Sequence, residues 1–131
     1  MQLHSRRQKD ANFITTKAIA AAAAAASTGF DLQQTQGGLV EGLLVEVIHP
    51  SFTITSGKTC VYTLQDSADN VTFADVDPKV TTTTAAVTTT STAKTVEMPI
   101  PPNTRRYIRV NQSTTDMGGA GTDVFTVSLL F

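Results

Sequence analysis

The chain has 131 residues, with ten Lys plus Arg against eleven Asp plus Glu and a formal net charge of −1. That length suits one domain with one core, burying roughly two-thirds of the surface the unfolded chain exposes. The charge balance excludes a global field that would draw the chain onto nucleic acid or anionic lipid, so any polyanion contact has to be local.

The opening MQLHSRRQKDAN is basic and polar. It reads as an N-terminal arm, residues 1–12, ahead of a single β domain over residues 13–131. Followed by KAIAAAAAAASTGF, this start imitates a secretory signal. Asp10 and Asn12 interrupt the approach, and the apolar run falls short of the ~20 residues a membrane helix needs, so no export or membrane segment is assigned. Alanine is the best helix former. A helix built almost only of alanine has no large apolar stripe to dock, however, and every other segment reads as a strand. The alanine run is therefore expected as an extended first strand, its small side chains permitting close backbone or subunit approach. In STGFDL, a turn, Phe30 and Leu32 share a face.

From residue 39 onward the pattern is of short strands between turn residues. Leu43 to Ile48 is a β-branched and apolar run, beginning after Gly42 and stopping at Pro50. In KTCVYTLQD, Cys60, Tyr62 and Leu64 alternate with Val61, Thr63 and Gln65, which puts the first set on one strand face. Cys60, the only cysteine, excludes an internal disulfide framework and a multi-cysteine zinc site and reads as a small buried hydrophobe. DSADN is a turn by composition and VTFADV its returning strand, giving a hairpin. Threonine is stiff at χ1 and fits a pleated backbone, so VTTTTAAVTTTSTAKT reads as two exposed strands or a strand and a long loop. TVEMPIP carries Val96 and Met98 on one side before prolines stop the pairing. In RRYIRVN, Ile108 and Val110 face one way and Tyr107, Arg109 and Asn111 the other. After the loop DMGGAGTD, VFTVSLLF points Phe125, Val127, Leu129 and Phe131 to one face. Some eight short segments without a repeat or an amphipathic helix indicate an all-β sandwich or barrel.

Chemistry is sparse. A cupin-like metal site needs several histidines, and the chain has only His4, in the arm, and His49, beside Pro50 at a strand end; both read as solvent or turn histidines. No Gly-x-Ser-x-Gly elbow accompanies the serines, and His49 is the only mid-domain base. Asp66, Asp69, Asp75 and Asp77 lack the spacing of a calcium loop and read as the hairpin turn and its solvated flanks. MGGAGTD lacks the Gly-Lys-Ser/Thr ending of a phosphate loop. No enzyme activity, metal or cofactor is expected.

The densest polar feature is NTRRYIRVN, with three arginines in five positions. Strand alternation sends Arg105, Tyr107 and Arg109 to one face and Arg106, Ile108 and Val110 to the other, so the guanidinium groups do not form one patch. Nucleic-acid binding by a sheet calls for several interleaved aromatics, and only Tyr107 is at hand. The remaining readings are a solvated strand face and a protein interface, where arginine and tyrosine are favoured anchors.

The stretch EMPIPPNTRRYIRVN, followed by a glycine loop and TDVFTVSLLF, resembles the small capsid cement, or decoration, proteins of Bordetella-type tailed bacteriophages. In that family a strand and a leucine-proline or similar turn lead into Thr-x-Arg-Tyr-hydrophobic-Arg-hydrophobic and a final apolar strand. YTLQDSADNVTFADV is similar to the family's strand, polar turn and Phe-bearing return strand, and the alanine run with STGFDLQ to its first, small-residue strand. The likeness runs over nearly the whole chain from about residue 10, its most telling part being Arg-Tyr-Ile-Arg; the longer basic start and the polyalanine depart from the family pattern.

The resemblance implies a jelly-roll-like β-sandwich subunit, made in the bacterial host cytoplasm. Such subunits form homotrimers on the outer surface of the icosahedral capsid of the virion and bridge neighbouring major capsid proteins. A cement protein needs no catalytic centre. It stabilises the assembled shell by binding it in preference to its separated subunits, and many symmetry-related copies multiply the gain. Arg105, Arg106, Tyr107 and Arg109 are the expected interface or intersubunit residues, and Arg6, Arg7 and Lys9 are expected to grip the shell. Self-association and the major capsid protein are the expected partners, with neither nucleic acid nor membrane. The alternative is a carbohydrate- or receptor-binding β-sandwich module of a phage tail, which would call for exposed aromatic platforms; the chain has no Trp and two Tyr.

Overall fold

The computed structural model of the chain describes residues 9–19, 24–33, 43–50, 52–53, 59–76, 81–85, 90–91, 94–114 and 124–130. Among these residues there are twelve strands and no helix. In chain order they are β1 (Lys9–Ala18), β2 (Ala24–Ala26), β3 (Phe30–Asp31), β4 (Leu44–His49), β5 (Phe52–Thr53) and β6 (Thr59–Ser67). Then follow β7 (Ala74–Asp75), β8 (Thr81–Ala85), β9 (Thr90–Ser91), β10 (Lys94–Pro99), β11 (Tyr107–Thr114) and β12 (Val124–Leu130).

Two antiparallel sheets face each other in a sandwich. One has the order β1-β12-β4-β10; the other runs β2-β11-β6-β7, with β3 also on β11 and β8 also on β6. A separate two-stranded piece joins β5 to β9. The chain changes sheet at most of its connections: β1, β4, β10 and β12 belong to one, while β2, β6, β8 and β11 belong to the other. That alternation is compatible with a jelly roll, in which Greek-key connections distribute successive strands between two layers.

Period-two alternation builds the core from both layers. Val45, Val47, Met98, Phe125, Val127 and Leu129 from the first sheet meet Phe30, Cys60, Tyr62, Leu64, Ile108 and Val110 from the second in one buried cluster. Tyr62 and Phe125 touch edge to face across the layers, ring centroids 5.3 Å apart. Both are fully buried, so truncating Phe125 to alanine would cost about 3–5 kcal/mol.

The alanines are extended where described. Ala24, Ala25 and Ala26 pair with Ser113, Gln112 and Asn111 of β11, and Ser27 continues the contact, its N–H donating to the Val110 carbonyl at 2.9 Å and its Oγ accepting from the Val110 N–H at 3.0 Å. Alanine 20–23 lies outside the described residues. The first strand, however, is not the alanine run. It begins at Lys9, inside the segment read as an arm, and its register on β12 shifts between Lys9 and Ile14. Edge strands tolerate Lys and Asp, which is why a charged stretch joins the sheet. Arg6 and Arg7 lie outside the described residues, as do the loop at 115–123, Asp77 and Phe131.

Candidate functional site

The arginine segment sits at one rim of the six-stranded sheet, where the chain returns from β10 to β11. After Ile100 and Pro101, both buried, Thr104 closes a turn: its Oγ1 and N–H both donate to the Pro101 carbonyl, at 2.6 and 3.2 Å. β11 starts only at Tyr107, so Arg105 and Arg106 precede the strand and escape its alternation. Within it the expected pattern holds, Ile108 and Val110 buried and Tyr107, Arg109 and Asn111 half-buried.

Each guanidinium has its own partner inside the chain. Arg105 binds Asp66: its Nε and Nη2 donate to Oδ1 at 3.0 and 2.7 Å, its Nη2 also to the Asp66 carbonyl at 2.9 Å, and its backbone N–H to Oδ2 at 2.9 Å. The Asp66 side chain is 8% exposed and that of Arg105 29%. Asp66 belongs to the inward set of Cys60, Tyr62 and Leu64 and stands opposite Ile108, which brings a carboxylate to the sandwich rim and buries it. The reading of Asp66 as a solvated flank is thereby corrected. Burial of a carboxylate demands a cation and hydrogen bonds, and Arg105 supplies both.

Arg106 makes a bidentate pair with Asp31 at the β3 edge, Nε to Oδ1 and Nη2 to Oδ2, both 2.8 Å, and the main chain ties the same place through the Leu32 N–H to the Arg106 carbonyl at 2.9 Å. It is exposed, rather than directed to the core with Ile108 as strand alternation predicts, because the strand has not yet begun. Arg106, followed by the Gln33 N–H, holds the Asp31 carboxyl below its ordinary range, and Asp31 in turn raises Arg106. The Arg106 guanidinium also lies 5.2 Å from the Tyr107 ring centroid.

Arg109 reaches the hairpin instead. Its Nε donates to Gln65 Oε1 at 2.9 Å, Gln65 Nε2 donates to Asp75 Oδ1 at 3.0 Å, and the guanidinium stacks 4.1 Å from the centre of the Phe73 ring. Burial lowers its pKa. The hairpin itself turns on Asp69, whose Oδ1 accepts from the Val71 and Thr72 N–H groups, each at 2.9 Å, and from Ser67 Oγ at 2.8 Å. These bonds, the two backbone donors first, hold the Asp69 carboxyl down at about 2. Asn70 adopts φ 60°, a left-handed value that asparagine tolerates in turns. The return strand β7 is only two residues long.

The structure gives each arginine its own partner within the chain, though not by the strand alternation expected. Arg105 and Arg106 precede β11, and Arg105 goes to the inward-parity Asp66 while Arg109 goes to Gln65. Arg106 is the exposed member, Arg105, Tyr107 and Arg109 being half-buried, and its partner Asp31 borders an apolar groove of about 250 Å³ lined with Phe13, Leu32, Gln33, Leu43 and Leu129. Lys9 stands apart, opposite Leu130 on the other sheet. The partners Asp31, Asp66, Gln65 and Phe73 were not foreseen. The parity of Asp66 with Cys60, Tyr62 and Leu64 was the available signal.

His49 also departs from expectation. It is fully buried, its Nδ1 2.6 Å from Tyr62 Oη and its ring edge-on to Tyr62. It shares the inward parity of Val45 and Val47, so Pro50 ends the strand after the residue has entered the core. Tyr62 ionisation is pushed far up by burial and by Cys60. Among the described residues no group of three or more His, Cys, Asp and Glu side chains is arranged to hold a metal. No described helix is long and apolar enough to cross a membrane. Compared with known proteins, the chain matches no protein-family model and no curated protein.

Proposed function

We propose that the chain is a capsid cement protein, a β-sandwich subunit that binds as a trimer to the outside of an icosahedral phage head and bridges major capsid proteins. The observation that carries the reading is the placement of its most telling segment. The stretch EMPIPPNTRRYIRVN supplies the end of β10, at the edge of the first sheet, and most of β11, inside the second, and the terminal strand β12 lies inside the first. Arg105 and Arg109 fasten that segment to β6 and the hairpin, while Arg106, paired with Asp31 yet exposed, and the half-buried Tyr107 beside it present surface at the rim. A pinned scaffold that presents a partly exposed Arg-Tyr pair beside an apolar groove suits a protein whose work is contact, since Arg and Tyr are favoured interface anchors.

In this assignment Arg105 and Arg109 support the contact and Arg106 and Tyr107 make it. Light scattering coupled to gel filtration should give three times the 13.9 kDa chain mass. Co-sedimentation with mature heads lacking the protein should deplete it from the supernatant, and it should not bind unassembled capsid subunits. A monomer that fails to co-sediment would refute the proposal.

A further inference from the structure

Along β11 the side chains turned away from the core are Tyr107, Arg109 and Asn111, which stand opposite Ser67, Gln65 and Thr63 of β6. All three are half-buried. Arg109 spends its Nε on Gln65 and one face on the Phe73 ring, and among the described residues its side chain makes no further hydrogen bond and no ion pair. Arg105 and Arg106, by contrast, each hold a carboxylate. The edge between the two Nη atoms of Arg109 is therefore unspent. To either side of it, the Tyr107 hydroxyl and the Asn111 side-chain amide also make no hydrogen bond among the described residues.

The guanidinium is held in place before any ligand arrives. Gln65, which receives its Nε–H, is itself tied to Asp75. The Phe73 ring reaches it because the hairpin leans on Gly29, where a Cβ would collide with Asn70 Oδ1 and stand 3.0 Å from the tip of that ring. A ring face stabilises a cation and leaves its hydrogen bonds unmade. Burial lowers the pKa of Arg109, as expected of a cation drawn partly out of water without a counter-charge, and an incoming anion relieves that condition.

We propose that the Nη edge of Arg109 receives one carboxylate side chain of a partner protein, with Tyr107 and Asn111 taking polar groups on either side of it. A carboxylate presents two oxygens in the plane of the guanidinium, matching two parallel N–H donors. A nucleic-acid backbone draws on several cations, and the two other arginines of the segment are already spent on Asp66 and Asp31. Strand residues rise ~3.4 Å each, so Tyr107 to Asn111 spans roughly 13 Å, the length of about four extended residues of a partner. The inference stands apart from the capsid reading, because its recognition chemistry lies within this chain and its test needs no head.

The full chain, isotope-labelled, is titrated with the blocked tripeptide acetyl-Thr-Glu-Thr amide and with its glutamine counterpart, and the Arg109 Nε–H resonance is followed by NMR. The glutamate peptide should move that resonance saturably, at about tenfold lower concentration than the glutamine peptide. No shift, or an equal response to both, would overturn the proposal. Sodium phosphate acting at lower concentration than the glutamate peptide would overturn it as well, assigning the edge to a free anion. Arg109→Lys keeps the charge and loses the fork. In that variant, folded by its backbone spectrum, the response of the Tyr107 and Asn111 backbone N–H signals to the glutamate peptide should disappear, and a retained response would place the carboxylate elsewhere; if the variant does not fold, the two peptides on the parent chain decide.

Discussion

Replacing Asp66 with alanine removes at once the acceptor for two guanidinium donors and for the Arg105 N–H, the carbonyl contact alone remaining. Hydrogen bonds to charged groups contribute about 1.5–3 kcal/mol each, and breaking a fully buried ion pair from one side costs about 3–5 kcal/mol. Arg105 is 29% exposed and can turn partly to water, which lowers the cost to about 2–3 kcal/mol. At ~2.1 cal/mol/K of unfolding entropy per residue, a chain of this length loses about 3.6 °C of Tm per kcal/mol, so a fall of about 7–11 °C is expected. Differential scanning calorimetry at one fixed protein concentration measures it, the fixed concentration removing any effect of self-association. Arg105→Ala and the double variant complete a thermodynamic cycle, whose coupling should reach at least about 1 kcal/mol. A Tm within about 2 °C of the parent for Asp66→Ala, or zero coupling, would show that the rim does not depend on this pair, contrary to the geometry.

Tyr62→Phe deletes the hydroxyl bonded to His49 inside the core and should cost about 1–3 kcal/mol in urea unfolding with the m value unchanged; no loss would remove that bond from the account. The Asp69 carboxyl, at about 2 in the folded chain against an ordinary 3.8, stabilises the fold fully above the higher value. That contribution is lost as pH falls through the lower one, so Asp69→Asn should flatten the dependence of Tm on pH between about 4 and 2, and an unchanged slope would contradict the turn assignment. Asp31→Ala breaks an exposed pair and should lower Tm by less than half as much as Asp66→Ala; an equal loss would mean that exposure does not grade the two pairs. On the cement-protein proposal, combined alanine substitution at Arg106 and Tyr107 should abolish co-sedimentation with heads while leaving a folded protein, and unaltered co-sedimentation would move the proposed contact elsewhere.

The core was legible because its large apolar side chains recur with the strand period, although Thr63, Ser128 and Leu130 of the other parity are buried as well. Cys60, Tyr62 and Leu64, and Phe125, Val127 and Leu129, carry their inward face in the order of the residues. Extended alanine was legible for a different reason, the lack of any stripe that a helix could dock. What local pattern withheld were partners far along the chain. Asp66 is 39 positions from Arg105 and Asp31 is 75 from Arg106, so nothing in NTRRYIRVN announces them. His49 was misjudged because its partner lies 13 residues on, across the sandwich, and a polar residue beside proline looks like a strand end. The start of β1 was missed because charge in an edge strand resembles charge in a tail.

If the chain is the capsid cement protein proposed above, phage particles hold it in many copies. Quantitative mass spectrometry of purified particles, relative to the major capsid protein, measures that directly. A cement protein spread over the shell predicts a ratio near one to one. A few copies per particle, or none, would contradict the account and assign the sandwich to a tail, neck or receptor-binding position.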